Sequence, residues 1–105
     1  MRYPFVFIKA MEGWLLKAFN SKGLIELFEE GDTRRIDKRW HAKCLKILDL
    51  LDMACDPGDL EKLHGFHPLK GERLGTYAMS VTANWRVTFR FEENHIIDID
   101  LEDYH

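Results

Sequence analysis

The chain has 105 residues, 46% of them hydrophobic, and a formal net charge of −3. That length and composition suit one domain with one core and exclude a multidomain or disordered chain. No overall basic charge marks a nucleic-acid binder, and two cysteines are too few for a secreted disulfide scaffold.

The first residues, Met1 to Ile8, are apolar, but Lys9 and Glu12 follow too soon for a signal-peptide core or a membrane span. A cytoplasmic protein is therefore expected. Residues 1–13 show no pattern and read as an N-terminal extension, with Met11 an alternative start, ahead of a single domain at 14–105. Trp14 to Phe19 reads as a first strand. Ser21 is a good N-cap, and Leu24, Ile25, Leu27 and Phe28 form an apolar stripe that Gly31 terminates. A second helix is expected from Asp37, its candidate N-cap, to Ala54 or Cys55. Its stripe is Trp40, Cys44, Ile47, Leu48, Leu51, Ala54 and Cys55, and Pro57-Gly58 ends it. Cys44 and Cys55 would lie about 16 Å apart on one helix face, which makes them core thiols rather than a disulfide.

Charge is unevenly placed along the chain. Between Thr33 and Lys46, Arg34, Arg35, Lys38, Arg39, Lys43 and Lys46 face only Asp37, a local charge of +5; from Glu92 to His105 the charge is −6. Lys38 and Arg39 at the start of the second helix, with Asp49 and Asp52 near its end, oppose the macrodipole at about 0.3–1 kcal/mol each. Any one of these residues suits a solvated face; as a cluster the cations form a candidate anion-binding surface.

Leu60 to Arg73 reads as a linker that becomes a strand. It gathers His64, His67, Lys70 and Arg73 between glycines, a candidate cationic loop for phosphate. A metal reading would need His64, His67 and His105 together, without a cysteine or third histidine nearby in sequence; no metal and no cofactor is expected.

Three alternating runs follow: Thr76 to Thr82, Trp85 to Phe91 and Ile96 to Glu102. They predict an antiparallel sheet with one apolar and one polar face, the helices covering the apolar side. Keeping the faces separate requires a three-residue loop, Thr82-Ala83-Asn84, that sets Val81 opposite Trp85, with Asn84 as its left-handed residue. In the last hairpin, matched faces set Phe91 opposite Ile97, Arg90 opposite Asp98 and Arg86 opposite Glu102. Tyr104 then falls beside Arg86, while Asp103 falls on the other face. The chain ends in Asp103-Tyr104-His105, three residues capable of proton chemistry.

Four segments together resemble the HigB branch of the RelE-like toxins of bacterial toxin–antitoxin systems, over roughly Leu16 to His105. They are Lys22-Gly-Leu with Leu-Phe-Glu-Glu-Gly31, His67-Pro-Leu-Lys-Gly71, Asn84-Trp-Arg-Val-Thr-Phe89 and the terminal tripeptide. The resemblance implies an α+β fold in β-α-α-β-β-β-β order, two N-terminal helices packed on one face of a small antiparallel sheet. It implies an endoribonuclease that enters the ribosomal A site and cuts mRNA there. It also implies a HigA-like helix-turn-helix antitoxin that neutralises the toxin and touches operator DNA in its place. On the family pattern, His67, Lys70, Arg86, Asp103, Tyr104 and His105 match catalytic or RNA-contacting positions. Many relatives are basic, so the acidic balance here implies a weaker or more salt-dependent affinity for the ribosome.

RNA can be cut without metal when its 2′-hydroxyl attacks the adjacent phosphate. The reaction needs a base, an acid and positive charge on the phosphorane. Arg86 and Lys70 are the candidates to hold the phosphate, and His67 and His105 to move protons. Asp103 is a candidate base or orienting group, and Tyr104 a stacking or donor group. Arg34, Arg35, Lys38, Arg39, Lys43, Lys46 and Arg73 are the candidate contacts to RNA and ribosome. The bland alternatives are a turn role for His67, an ion pair with Glu102 for Arg86 and packing for Tyr104. The competing class is an inactive toxin-fold module that acts only within an antitoxin complex on DNA.

Overall fold

Ser21 and Gly31 bracket the first helix, α1 (Lys22–Glu30). The Ser21 hydroxyl accepts the Leu24 N–H at 3.1 Å. Gly31, at φ 80°, donates its N–H to the Leu27 carbonyl at 2.8 Å. These are the cap and left-handed stop that the sequence predicts. The computed structural model describes residues 19–54, 56–63 and 65–103. The expected extension, the expected first strand up to Lys17 and Ala18, and Cys55, His64, Tyr104 and His105 lie outside the described residues.

Leu24, Leu27 and Phe28 are buried, as the stripe requires. Gly23 stands inside the helix because a Cβ there would meet the Ile36 side chain at 3.0 Å and the Arg35 Cβ at 3.1 Å. The loop after α1 thus folds back hard against it. Thr33 ties that loop down, donating to Glu26 at 2.6 Å and accepting the Arg35 N–H at 3.1 Å.

The helix expected from Asp37 starts differently. Lys38–Trp40 form a 3₁₀ turn, and the α-helix proper, α2, runs His41–Met53. Asp37 does cap, but its carboxylate takes the Arg39 N–H only two residues on, at 2.9 Å, which closes a tighter turn. Lys38 and Arg39 therefore stand ahead of the α-helix, and Arg39 is met by Asp37 at 2.7 Å. The buried His41 anchors the approach, its Nε2 2.9 Å from the Ile36 carbonyl oxygen. Cys44, Ile47, Leu48, Leu51 and Ala54 enter the core. Burial pushes the Cys44 thiol up to about 11, so it stays protonated and inert at neutral pH.

Four antiparallel strands follow in spatial order β1 (Phe66–Pro68), β2 (Thr76–Ser80), β3 (Trp85–Glu92) and β4 (His95–Asp103). Two helices on such a sheet make the α+β fold expected. Phe19 forms a parallel bridge with Ile99, and the Asn20 N–H donates to the Ile99 carbonyl at 2.7 Å, so the chain entering α1 lines up along β4. The core lies between helices and sheet, where Leu24, Leu27, Phe28, Ile47 and Leu48 meet Val87, Phe89 and Ile99.

The β2–β3 register is the expected one. Met79 pairs with Val87 and Ser80 with Arg86, and the Val81 N–H donates to the Trp85 carbonyl at 2.9 Å across the three-residue loop. The loop closes by another device, however. Asn84 is not among the described residues with positive φ. Instead the Thr82 hydroxyl accepts the Asn84 and Trp85 N–H groups, each at 3.1 Å, a side-chain turn that needs no left-handed residue.

The β3–β4 register is right for half its length. Arg86 pairs with Glu102 and Thr88 with Asp100, but beyond a bulge Arg90 pairs with Ile97 and Phe91 with Ile96. Phe91 therefore does not oppose Ile97. Two residues, Asp98 and Ile99, oppose Phe89, and Asp98 absorbs the extra length at φ 53°. Ile96 takes the buried place expected of Ile97. The cause is the turn: Glu93 and Asn94, at φ 49° and 68°, form a two-residue hairpin whose twist matches the strands. The bulge then restores the face alternation. Arg90 still reaches Asp98, at 3.6 Å.

Candidate active site

Cross-strand pairing arranges the even face of the sheet in rows. One row runs His67, Ala78, Thr88, Asp100; the next runs Ser80, Arg86, Glu102. Strands lie about 4.8 Å apart, so His67 on β1 and Thr88 on β3 are separated by roughly 10 Å, with the small Ala78 between them. Side chains from both sides can reach a group lying over Ala78.

This face is not simply open to water. Thr76, Ala78 and Thr88, all on it, are buried. The β1–β2 connection folds back over the sheet: Leu69 N–H donates to Thr76 O at 2.8 Å, a 3₁₀ turn covers Gly71–Arg73, and Arg73 reaches β4. There its guanidinium donates to both oxygens of Glu102, at 2.6 and 2.8 Å. Thr88 Oγ1 donates to Glu102 Oε2 at 2.7 Å, and Arg86 Nη2 lies 3.7 Å from Oε1. The Arg86 side chain is only 16% exposed.

Electrostatics follow from these contacts. Hydrogen bonds from Arg73, then from Thr88, and the charges of Arg73 and Arg86 hold the Glu102 carboxyl at about 2 against its burial. The carboxylate raises Arg73 in turn. Burial, and then the nearby Glu102 charge, push Asp100 above its ordinary range. Arg73 and Arg86 both meet the Glu102 carboxylate, with Asp100 the second acid beside them, and planar guanidinium groups match phosphate oxygens.

Of the residues singled out in the sequence, His67, Arg73 and Arg86 are brought to this face or across it. Lys70 is exposed at the mouth of the β1–β2 loop. Asp103 pairs with Trp85, whose row belongs to the helix side, so it stands apart from Arg86. Tyr104 and His105 lie outside the described residues. The cationic stretch is elsewhere: Arg34, Lys38, Lys43 and Lys46 are exposed on α2 and its approach, which cover the opposite face. Arg35 and Arg39 there are paired with Glu26 and Asp37. Among the described residues, no group of three or more His, Cys, Asp or Glu side chains is arranged to hold a metal ion, and no helix is long and apolar enough to cross a membrane. Thr88 and the bridging role of Glu102 were missed by sequence reasoning. The only signal for them is the register that sets Thr88 and Glu102 on the face of Arg86.

A two-helix layer over an antiparallel sheet, with Arg73 and Arg86 gathered around Glu102 on the far face, defines a small α+β protein with a guanidinium cluster on its sheet. A family model described as the RelE-like toxin of the type II toxin–antitoxin system HigB matches residues 17–105. The Endoribonuclease HigB of Proteus vulgaris is 37% identical over 92 residues, which are 87% of this chain and the whole of that protein. The chain belongs to the HigB-like toxins of the RelE-like superfamily.

Proposed function

We propose that this toxin is a metal-independent endoribonuclease that cuts mRNA in the ribosomal A site. The observation that carries the reading is the placement of Arg86 and Arg73, two guanidinium groups, around one anionic position on a face that also carries His67. The similarity to an endoribonuclease over the whole length of that relative supports it.

In this reading the 2′-hydroxyl attacks the neighbouring phosphate. Arg86 and Lys70 stabilise the charge on the phosphorane, which preorganised cations do strongly in a water-poor site. His67 and His105 are the proton-transfer groups, His67 reaching the phosphate across Ala78. Tyr104 stacks on a base, and Asp103 orients a neighbour. A HigA-like helix-turn-helix antitoxin, the partner that a type II system calls for, neutralises the toxin in the cytoplasm and carries the complex to operator DNA. Purified protein added to programmed ribosomes, with mRNA ends mapped by primer extension, tests the reading. Codon-phased cuts that vanish in Arg86→Ala, and persist when transition metals are chelated at constant magnesium, are expected. Equal cutting of free RNA would point to a general ribonuclease instead.

A further inference from the structure

Among the described residues, Glu102 is the carboxylate on the polar face that gathers donors from both the β1–β2 loop, through Arg73, and β3, through Arg86 and Thr88. Arg73 is 29 residues away in sequence, and its loop is flanked by Gly71 and Gly75 at φ 66° and 96°. Residues 71–75 are exposed. A long side chain on such a loop has no fixed position of its own; the fork-to-fork pairing with Glu102 supplies one. Asp100, the neighbouring acid on this face, also acts on Arg73 through its charge, but the hydrogen bonds that fix the guanidinium are those to Glu102.

We propose that Glu102 is a positioning residue for the reaction above, on which this inference rests: its carboxylate draws Arg73 across the sheet and sets it beside Arg86, so that two guanidinium groups meet one phosphate of the RNA. The pairing engages one edge of Arg73 and leaves its other N–H donors for the phosphate. Arg73 is then a substrate contact, and Glu102 acts through it and through Arg86. Glu102 is a poor candidate for the base, because a carboxylate held at about 2 by its hydrogen bonds to Arg73 and Thr88 has little affinity for a proton.

A double-mutant cycle in ribosome-programmed cleavage tests this, with Arg73→Ala, Glu102→Gln, the double variant and Arg86→Ala as the control for the parent reading. At saturating ribosomes, each single substitution is expected to slow single-turnover cleavage by about 10- to 100-fold, the scale of a misplaced catalytic group. The ribosome KM should change less than about threefold. The double variant should be no slower than the slower single one, because the two residues act as a unit. Glu102→Gln cleavage at or above the wild-type rate overturns the proposal, since the carboxylate would then be idle or in competition with the phosphate. Additive losses overturn it as well. If Glu102→Gln does not fold by circular dichroism, the cycle is run with Arg73→Lys and Glu102→Asp, which break the fork but keep each charge, and the same coupling decides. An active wild type whose Arg86→Ala variant cuts equally well would sink the parent reading and this one with it.

Discussion

The indole of Trp40 packs against that of Trp85, with ring centroids 5.5 Å apart and planes tilted by 41°. Trp40 closes the 3₁₀ turn that leads into α2, and Trp85 begins β3, one residue before Arg86. The pair therefore fastens the start of the second helix to the strand that carries the central cation. Both rings are half-buried, so truncation removes apolar burial and the aromatic pairing but leaves no sealed cavity. Trp40→Ala is expected to destabilise the fold by about 2–3 kcal/mol in urea unfolding. Near-ultraviolet circular dichroism should lose the signal of the coupled indoles. An unchanged midpoint would mean that the helix start is held without the pair.

Glu102 predicts an acid limit to stability. Its folded value, about 2, lies below the ordinary 4.5, so the ionised form favours the native state. The contribution is complete above about pH 4.5 and is lost as pH falls through about 2. Melting wild type and Glu102→Gln from pH 7 to pH 2 should show a gap in Tm that narrows across that window. Asp37, also held at about 2, by Arg39, weakens both proteins alike and cancels in the comparison. A gap that stays constant with pH would mean that the Arg73 pairing adds nothing to the native state.

The two-residue turn between β3 and β4 is built from residues poorly suited to it. Glu93 at φ 49° carries a left-handed conformation that costs an ordinary L-residue about 1–2 kcal/mol. Asn94 at φ 68° tolerates it better. Asn-Gly is the pair that such turns favour. The variant Glu93→Asn with Asn94→Gly should therefore gain about 1 kcal/mol in urea unfolding. A loss of stability would show that the Glu93 side chain makes interactions that offset the strain.

These examples separate what the sequence can show from what it cannot. The Ser21 cap and the Gly31 stop are local, and each acts within four residues, so they were readable. The Val81–Trp85 register was readable because a one-residue slip would flip every side chain of β2. The bulge at Asp98 was not, because Ile96 and Ile97 are equally apolar and either could point inward. Only the turn at Glu93-Asn94, set by backbone twist, decides between them. The grouping of Arg73 with Glu102 was beyond reach for a related reason. It depends on how far a glycine-flanked loop folds back over the sheet, and no periodic pattern records that path.

The cationic stretch makes a prediction that separates docking from chemistry. Arg34, Lys38, Lys43 and Lys46 are exposed on the helix side, away from the Arg86 row, while Arg35 and Arg39 are already engaged by Glu26 and Asp37. If the stretch holds ribosomal RNA phosphates, Lys43→Ala with Lys46→Ala should raise the ribosome KM and leave cleavage at saturation near wild type. The dependence of log KM on log salt should also flatten by about 0.7–0.9 for each phosphate that is no longer neutralised. Arg39→Ala should do less, because its charge is offset by Asp37 at 2.7 Å. Measured KM values at several salt concentrations decide the matter. A double lysine variant that slows cleavage at saturation, with no change in the salt slope, would move these residues out of docking altogether.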